Sequence, residues 1–423
     1  MKSLSWWDYL RTQPEIICHY VRLSVWPTDL CFDYGWDVQA NAAIYWPLVL
    51  LFCVFLLIGC VLWWKRSVYG FLVLAFFVYL APSSSIIPIK DLAVEHRMYL
   101  PLVLVIAFIV LSAVQLVSML LRLGNPSAAI TRPIALVLAM TVFLVAGAYG
   151  WLTHLRTNVY QSPLLLWQDT VAKRPSNKRA KLALGTLLVL FENDPEAALP
   201  LLEDGITSYS TRPLAWHHLA ECQRKLGMLE KAKISAGRAV SLDPEMGQAH
   251  NLLGIIHLQS NDLAEAKTSF ERAVEFGQPI GRYNLATISL REGDPASALE
   301  HLESLIAELP DFRNSYRRLA WVLATVPDES LRDGLRALRI LRDDFRVESS
   351  QDGYAWDAYA AALAESGEFE QAKLAAERGL ALAKQAGLDR LGDQIAKRVK
   401  IYDGQSVYRD NGSDQEGIVG LEP

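Results

Sequence analysis

The stretch "AHNLLGIIHLQSNDLAEAKTSFERAVEFGQP", residues 249–279, decides the fold of the charged half of the chain. Two runs of apolar and small residues with helical spacing flank the turn-forming sequence Ser-Asn-Asp, and a proline ends the stretch. The same order recurs at 215–244, 282–310 and 355–383, with a period of about 34 residues. Each unit predicts two helices joined by a short turn, and the repetition predicts that successive pairs stack.

Small residues recur at two fixed positions of these units, where larger side chains would hold the two helices apart. The first position holds Ala220, Gly254, Ala286 and Ala360, and the second holds Ala232, Ala266, Ala298 and Ala372. Phe270 and Leu302 are expected to fill the gap to the next unit, and Pro244 and Pro310 to stop helices. The pattern resembles tetratricopeptide (TPR) repeats, with about six units that end near Val399.

One position on the first helix of successive units carries a hydrogen-bonding side chain each time: His217, Asn251, Tyr283 and Arg317. In TPR stacks this helix lines the concave face, so the four residues are predicted to bind the backbone of an extended protein or peptide partner. On this hypothesis they lie outside the core between the helices. The alternative is that they are ordinary solvated positions.

The other half of the chain has a different composition. Residues 1–154 hold only 9 Lys or Arg and 7 Asp or Glu, whereas the remaining residues hold 32 and 39. With 52% hydrophobic residues and 12 Trp overall, the composition is more apolar than that of a typical soluble protein. The acidic second half has no basic stripe, which argues against nucleic acid as a partner and leaves membrane lipid as the expected one.

Four apolar segments predict membrane helices, since about twenty apolar residues cross a hydrocarbon core of ~30 Å. They cover residues 44–64, 68–89, 99–121 and 133–152, although the second spans only if 86–89 continue it or if it packs as a tilted or broken helix. The predicted fold is therefore all-α, with about four transmembrane helices followed by a TPR α-solenoid. The predicted domains are an external or interfacial segment (1–43), a transmembrane domain (44–154), TPR repeats (155–400) and a disordered tail (401–423).

The charged stretch "IIPIKDLAVEHRMYLPL", residues 86–102, separates two of the apolar segments. Each charge would cost roughly 2.5 to 3.5 kcal/mol at the bilayer centre, so the stretch is predicted to be a loop at the membrane surface. Arg97 can bind a phosphate bidentately, Lys90 adds a positive charge, and Glu95 or His96 can orient a polar ligand. The alternative is a solvated connector in which Arg97 and Tyr99 anchor the interface.

Four helices place both chain ends on one side of the membrane. The charges near the turns on one side are Lys65, Arg66, Arg122 and Arg132, and those on the other are Lys90, Arg97 and Arg156. The positive-inside rule then predicts a multi-pass membrane protein whose repeats lie on the external, periplasmic or lumenal side. "EIICHYVRLSVWP", residues 15–27, is typical of an amphipathic interfacial helix rather than a signal peptide, which predicts further sequence upstream.

Sequence motifs for catalysis are scarce. The five cysteines form no CxxC pair, and phosphate-binding glycine loops and HExxH are absent from the sequence. No metal site, cofactor or catalytic residue is therefore assigned. A disulfide between Cys18 and Cys31 would require that both face an oxidising compartment.

Residues 9–38, "YLRTQPEIICHYVRLSVWPTDLCFDYGWDV", and 83–103, "SSSIIPIKDLAVEHRMYLPLV", resemble the later membrane half of multi-pass GT-C type glycosyltransferases fused to TPR repeats. The best-known members are the transmembrane, TPR-containing protein O-mannosyltransferases, and the resemblance covers roughly 9–400. It implies a polyprenyl-phosphate sugar donor, an acceptor protein on the repeats, and a lipid phosphate on Arg97 with Glu95, His96 and Tyr99 beside it.

The family carries its acidic catalytic motif in the first large external loop, and this sequence has no such loop. The resemblance thus implies a relative without the N-terminal catalytic half. The alternative is a non-catalytic, membrane-anchored TPR scaffold for protein–protein interaction.

Overall fold

The computed structural model describes residues 5–82, 84, 91–124 and 128–410, with the side chains of 120–135 and 138 excluded. The described residues are all-α, as predicted. The chain divides into two compact units, Met1–Thr211 and Arg212–Pro423, which are described separately. The domain boundary predicted near residue 154 falls inside the first unit and remains a prediction.

The first unit is built from eight α-helices in its described part and one turn of 3₁₀ helix, Glu95–Met98. The α-helices are α1 (Trp6–Val25), α2 (Ala42–Trp64), α3 (Val68–Leu80), α4 (Tyr99–Gly124), α5 (Ala128–Val159), α6 (Pro163–Lys173), α7 (Lys178–Leu190) and α8 (Pro195–Tyr209). Ser5 caps α1 by accepting a hydrogen bond from the Asp8 amide at 3.0 Å. The buried residues of α1 recur every three or four positions from Tyr9 to Leu23, which confirms an amphipathic helix.

Two helices in the described residues are long and apolar enough to cross a membrane, Ala42–Trp64 and Glu95–Met119. Only 11% and 6% of their most apolar windows are buried inside the protein, so their side chains face outward. Helix α3 has 13 residues and is about 20 Å long, which is shorter than the hydrocarbon core. Helix α5 lies where the fourth crossing was predicted. Since only two helices of the described residues are long and apolar enough to span, four transmembrane helices are not confirmed.

Helices α2 and α3 form a tight hairpin that depends on one glycine. A Cβ atom on Gly70 would lie 2.2 Å from the backbone nitrogen of Trp63, so any side chain there would force the helices apart. Arg66 completes the turn with a positive φ of 55°, and the Ser67 side chain caps α3 by accepting from the Tyr69 amide. Residues 85–89, which were predicted to extend α3, lie outside the described residues.

The second unit consists of helix pairs in the predicted order. Its helices are α9 (Pro213–Lys225), α10 (Leu229–Leu242), α11 (Gly247–Gln259), α12 (Leu263–Glu275), α13 (Gly281–Arg291), α14 (Pro295–Glu308), α15 (Arg313–Thr325), α16 (Gly334–Arg339), α17 (Gly353–Glu365), α18 (Phe369–Gln385) and α19 (Asp389–Asp403). The seven alanines predicted at the small positions are all 0% exposed. At Gly254 a Cβ would lie 2.6 Å from the Phe270 ring, which confirms why the helix contact needs small residues.

The fourth pair of the second unit is irregular. Helix α16 has only six residues and continues into a π-helical turn, Ile340–Asp344. Arg346 then adopts a left-handed conformation with a φ of 56° and redirects the chain toward α17. The second helix of this pair is therefore short and partly unwound.

The C-terminal end departs from the predicted tail. Residues 401–403 complete α19, and the residues up to Asp410 pack against the repeats, so a disordered tail beginning at 401 is wrong for 401–410. The reason is that Tyr408 and Asp410 find aromatic and polar partners that composition does not reveal. The remainder of the predicted tail, 411–423, lies outside the described residues.

Candidate functional site

Arg97, the central residue of the predicted site, is half-buried and bonded to its own loop. Its Nη1 donates to the Leu92 carbonyl at 2.8 Å and to the Tyr9 hydroxyl at 3.2 Å, and its Nη2 donates to the Asp91 carbonyl. Among the described residues it forms no ion pair with a carboxylate. In this conformation Arg97 closes the loop by bonding its carbonyls, and most of its donors are already engaged.

Tyr20 fixes the same loop to α1. Its hydroxyl donates to the Val94 carbonyl at 2.9 Å and accepts from the Val94 amide at 2.8 Å. Because Tyr20 is 0% exposed, both bonds are shielded from water. The position of residues 91–98 is therefore set by α1, a relation that no local sequence motif indicates.

Glu95 lies in a polar group that we call the loop cluster: Tyr34, Glu95, Arg156, Asp169 and Lys173. The Tyr34 hydroxyl donates to Glu95 Oε1 at 3.1 Å, and Arg156 Nη2 lies 3.8 Å from the same oxygen. Burial raises the pKa of Glu95, and the positive charge of Arg156 partly offsets this effect.

Asp169 joins the two cations of the loop cluster. Its carboxylate lies 2.6 Å from Arg156 Nη1 and 2.7 Å from Lys173 Nζ, and Lys173 also donates to the Leu30 carbonyl at 2.8 Å. The cluster thus contains two cations and two carboxylates in mutual contact. Its charges neutralise one another, and its ion pairs connect the loop to α5 and α6.

A second ionic contact joins the loop to α7. Arg179 donates to the Asp91 carboxylate and lies 3.5 Å from Asp33 Oδ2, and Asn177 donates to the Asp33 carbonyl at 3.0 Å. No motif in the sequence predicts that Asp169, Lys173 or Arg179 belongs to the site. The spacing of Asp169 and Lys173 by four residues on a mostly apolar helix is the one local signal that indicates a paired polar face.

The other predicted loop residues do not join this arrangement. His96 is exposed, and Tyr99 is 81% exposed. Lys90 lies outside the described residues. The structure therefore separates Glu95 and Arg97 into two sets of contacts and leaves His96 and Tyr99 outward, and the role of these five residues remains a prediction.

The four residues predicted to line the TPR groove differ in burial. Asn251 and Tyr283 are only 5% and 3% exposed, so the expectation that they lie outside the core between the helices is wrong. Asn251 accepts a hydrogen bond from Asn284 at 3.3 Å, and the Tyr283 ring packs on Phe312 at 5.6 Å. Nine of the thirteen residues of α11 and nine of the eleven residues of α13 are buried, so neighbouring helices enclose both of these helices on most sides.

His217 and Arg317 are less completely enclosed. Arg317 is ion-paired with Asp352 at 2.6 Å and lies over the Tyr354 ring at 4.9 Å. His217 is partly buried, and its Nδ1 has no hydrogen-bond partner among the described residues. Burial lowers the pKa of His217, which favours the neutral ring at pH 7. That nitrogen is itself buried, so a ligand could bond to it only if the neighbouring side chains moved.

The part of the chain that the structure describes contains no group of three or more His, Cys, Asp or Glu that could hold a metal ion. All five cysteines are free thiols, including Cys18 and Cys31.

Comparison with known proteins identifies the repeats. A tetratricopeptide repeat family model matches residues 223–279, and another matches 279–304. These residues are tetratricopeptide repeats. Both models match within the second unit. No curated protein matches the sequence.

Several solved structures are similar to this chain over part of its length. A tetratricopeptide repeat protein from Parabacteroides merdae is 16% identical, with a TM-score of 0.44 over 59% of this chain and 99% of that one. The pilF protein of Pseudomonas aeruginosa is 17% identical, with a TM-score of 0.44 over 52% and 97%. YrrB, described as a TPR protein with an unusual peptide-binding site, is 17% identical with a TM-score of 0.36 over 46% and 97%.

Proposed function

We propose that the chain is a membrane-anchored TPR scaffold that binds an extended segment of a protein partner. The match of residues 223–304 to tetratricopeptide repeats carries the proposal. Stacked helix pairs present a continuous surface along which an extended peptide can be held by side-chain hydrogen bonds. The proposal needs no catalytic residue in this chain.

Outward-facing apolar side chains support the membrane anchor. Leu50, Leu57 and Val103 are each more than 60% exposed, at 67%, 65% and 61%, and belong to the two long apolar helices. A core helix of a soluble protein would bury such residues, because each Å² of apolar surface left in water costs about 25 cal/mol. Lipid around α2 and α4 removes that cost.

The contacts of the first unit support an even number of crossings. Leu30 precedes α2, Asp91 and Glu95 follow α3, and both groups contact residues between Arg156 and Arg179. These contacts place the start of α2 and the end of α3 close together, so α2 and α3 run in opposite directions between them. The same holds for α4 and α5, because Glu95 and Arg156 are in contact. We therefore propose that α2 to α5 form two membrane hairpins.

We place the loop and the repeats on the side away from the cytoplasm, guided by the excess of positive charge at the opposite turns. Protease added to intact cells or spheroplasts is expected to cut the repeats. Complete protection until the cells are lysed would contradict this orientation.

The scaffold function can be tested at His217. His217→Ala should weaken binding of the purified full-length protein to an array of unfolded peptide segments by roughly three- to tenfold, if the bound segment forms one hydrogen bond to the buried Nδ1. His250→Ala is the matched control, because the His250 ring is already bonded to the Pro244 carbonyl at 2.9 Å. Equal binding by wild type and His217→Ala, or no binding to any segment, would contradict the proposal.

A second candidate function is sugar transfer from a polyprenyl-phosphate donor, and one observation favours it. An apolar cavity of 330 Å³ lies between α1, α2, α3 and α4, and its lining includes Phe52, Phe76 and Leu104. Leu104 is seven residues beyond Arg97, so a lipid chain in the cavity would have its head group on the side of the loop. A phosphate there would have to replace the carbonyls that Arg97 now contacts.

Arg97→Ala should then abolish binding of a polyprenyl-phosphate sugar, and Arg97→Lys should restore it poorly. Tyr20→Phe is the structural control, because it removes the bonds to Val94 without removing a charge. Loss of binding in both Arg97→Ala and Tyr20→Phe would assign the effect to loop structure, and unchanged binding in Arg97→Ala would exclude the phosphate role.

A further inference from the structure

The chain turns sharply as it leaves α19 and runs back over the repeats. Gln405 has a positive φ of 50° and donates to the Tyr402 carbonyl at 2.9 Å, and Ser406 donates to the Ile401 carbonyl at 3.1 Å. These bonds cap the end of α19 in the manner of a helix C-terminus. The residues that follow, Ser406–Asp410, are not helical, and we call them the return segment.

Three consecutive residues of the return segment contact three different helices. Tyr408 lies 5.1 Å from the Arg398 guanidinium of α19 and 5.9 Å from the Trp321 ring of α15. Arg409 pairs with Glu365 at the end of α17 at 2.6 Å. Asp410 bonds to α15. Each side chain thus has its own complementary surface.

Asp410 occupies a binding site with both backbone and side-chain components. Its amide donates to the Thr325 carbonyl at 3.0 Å, and its Oδ2 accepts from Trp321 Nε1 at 2.8 Å. Thr325 is the last residue of α15, where carbonyls lack partners within the helix. Asp410 is only 6% exposed, although a carboxylate at this end of a helix opposes the dipole.

Positive charge compensates for that opposition. Burial lowers the pKa of Arg318, also on α15, and the negative charges of Tyr283 and Asp410 partly oppose this lowering. The site therefore combines a carbonyl without a partner inside its helix, an indole donor and a nearby guanidinium. These groups can bind an aspartate through both its backbone N–H and its carboxylate.

The return segment covers the face of α15 assigned to partner binding. Trp321 follows Arg317 by four residues and so lies on the same face of the helix. We infer that this face is a binding site for extended segments in which an aromatic residue is followed two positions later by aspartate, and that the return segment occupies it in cis. The inference rests on the proposed TPR scaffold function in that it names the chemistry of the partner.

Because the return segment occupies the site in cis, a partner must compete with it for binding. A segment tethered by a short linker has an effective concentration of the order of mM, so a weakly bound partner would be excluded. A partner must therefore reproduce the aromatic and aspartate contacts or bind elsewhere along the repeats as well.

The test uses the full chain in detergent and a fluorescent peptide of residues 404–410, GQSVYRD, measured by fluorescence anisotropy. Deletion of 406–423 should allow the peptide to bind. Wild type, and a control deletion of 411–423 that retains the return segment, should bind it at least tenfold more weakly. The Asp410→Asn peptide should lose at least fivefold in affinity, and the Val407→Ala peptide should be unchanged because Val407 is exposed.

Two further variants control for misfolding of the deletion variants. Asp410→Asn in the full-length chain keeps its length and should admit the wild-type peptide, and Trp321→Phe in the deletion variant should weaken the peptide because the indole donor is lost. Equal binding by the two deletions, or equal binding of the wild-type and Asp410→Asn peptides, would overturn the inference. His217 lies at a different position. If partner binding depends on His217 but the peptide test fails, the scaffold function is still supported and only this inference is lost.

Discussion

The buried ion pair between Asp357 and Arg398 offers a sharp test of the repeat packing. Arg398 donates from Nε to Asp357 Oδ1 at 3.0 Å and from Nη2 to Oδ2 at 2.6 Å. The two residues are 3% and 2% exposed, and the guanidinium also lies 5.1 Å from the centre of the Trp321 ring. Arginine cannot deprotonate at any accessible pH, so removal of the carboxylate would leave a buried charge without its main partner.

Asp357→Ala is therefore expected to lower the free energy of unfolding by about 3 to 5 kcal/mol, the range for breaking a buried ion pair on one side. For a unit of this size the midpoint of thermal unfolding should fall by roughly 6 to 20 °C. The measurement is thermal unfolding of the detergent-solubilised protein, followed by circular dichroism.

A matched pair in the same unit isolates the effect of burial. Arg272 and Glu275 lie 2.7 Å apart, but their side chains are 55% and 56% exposed, so Glu275→Ala should change stability by less than about 0.5 kcal/mol. The double change Asp357→Leu with Arg398→Met should recover most of the loss, because it removes both charges. Equal costs for Asp357→Ala and Glu275→Ala would refute the conclusion that α17 and α19 bury this pair.

Three further outcomes are expected, each read as thermal stability. Asp169→Asn should cost about 2 to 4 kcal/mol because it removes the carboxylate that lies 2.6 Å from Arg156 and 2.7 Å from Lys173. Glu95→Gln should cost less, because Glu95 lies 3.8 Å from Arg156 and burial already disfavours its charged form by raising its pKa; equal costs would contradict the cluster. Gly70→Leu should destabilise by at least about 1 to 3 kcal/mol, and Gly147→Ala, where nothing lies within 4 Å of a new Cβ, should not. Burial lowers the pKa of His218 to about 4 from 6.5, so stability present above pH 6.5 should be lost as pH falls toward 4, by up to about 3 kcal/mol, and His218→Gln should flatten this dependence.

The repeats were predictable because their information is local. Alternation of small and large residues at fixed spacing reports a contact between neighbouring helices, and Gly254 meets Phe270 in the structure as the pattern requires. The amphipathic α1 was predictable for the same reason. Apolar segments likewise mark their own positions, although sequence alone overestimates how far α3 extends in the described residues.

The loop contacts were not predictable, because their partners are distant in sequence. Tyr20 and Val94 are 74 residues apart, and Arg179 and Asp91 are 88 apart. From sequence alone, a charged residue in a loop is predicted to be available to a ligand. In the structure, Arg97 is instead bonded to its own loop. Burial of Asn251 and Tyr283 was missed for a related reason, since the curvature of a helix stack is a sum of small rotations that no single repeat displays.

The residues three positions before the small residues Ala220, Gly254, Ala286, Ala320 and Ala360 form one series along the repeats. The series reads His217, Asn251, Tyr283, Arg317 and Asp357. The last two are charged and already paired within the chain, Arg317 with Asp352 and Asp357 with Arg398. His217, at the other end, retains a ring nitrogen without a partner among the described residues. A partner that reaches this buried nitrogen would form a new hydrogen bond without breaking an existing one, whereas at α15 it must displace the return segment. We therefore propose that binding begins near α9 and is completed by exchange at α15. Asp410→Asn should then strengthen partner binding, and His217→Ala should weaken it.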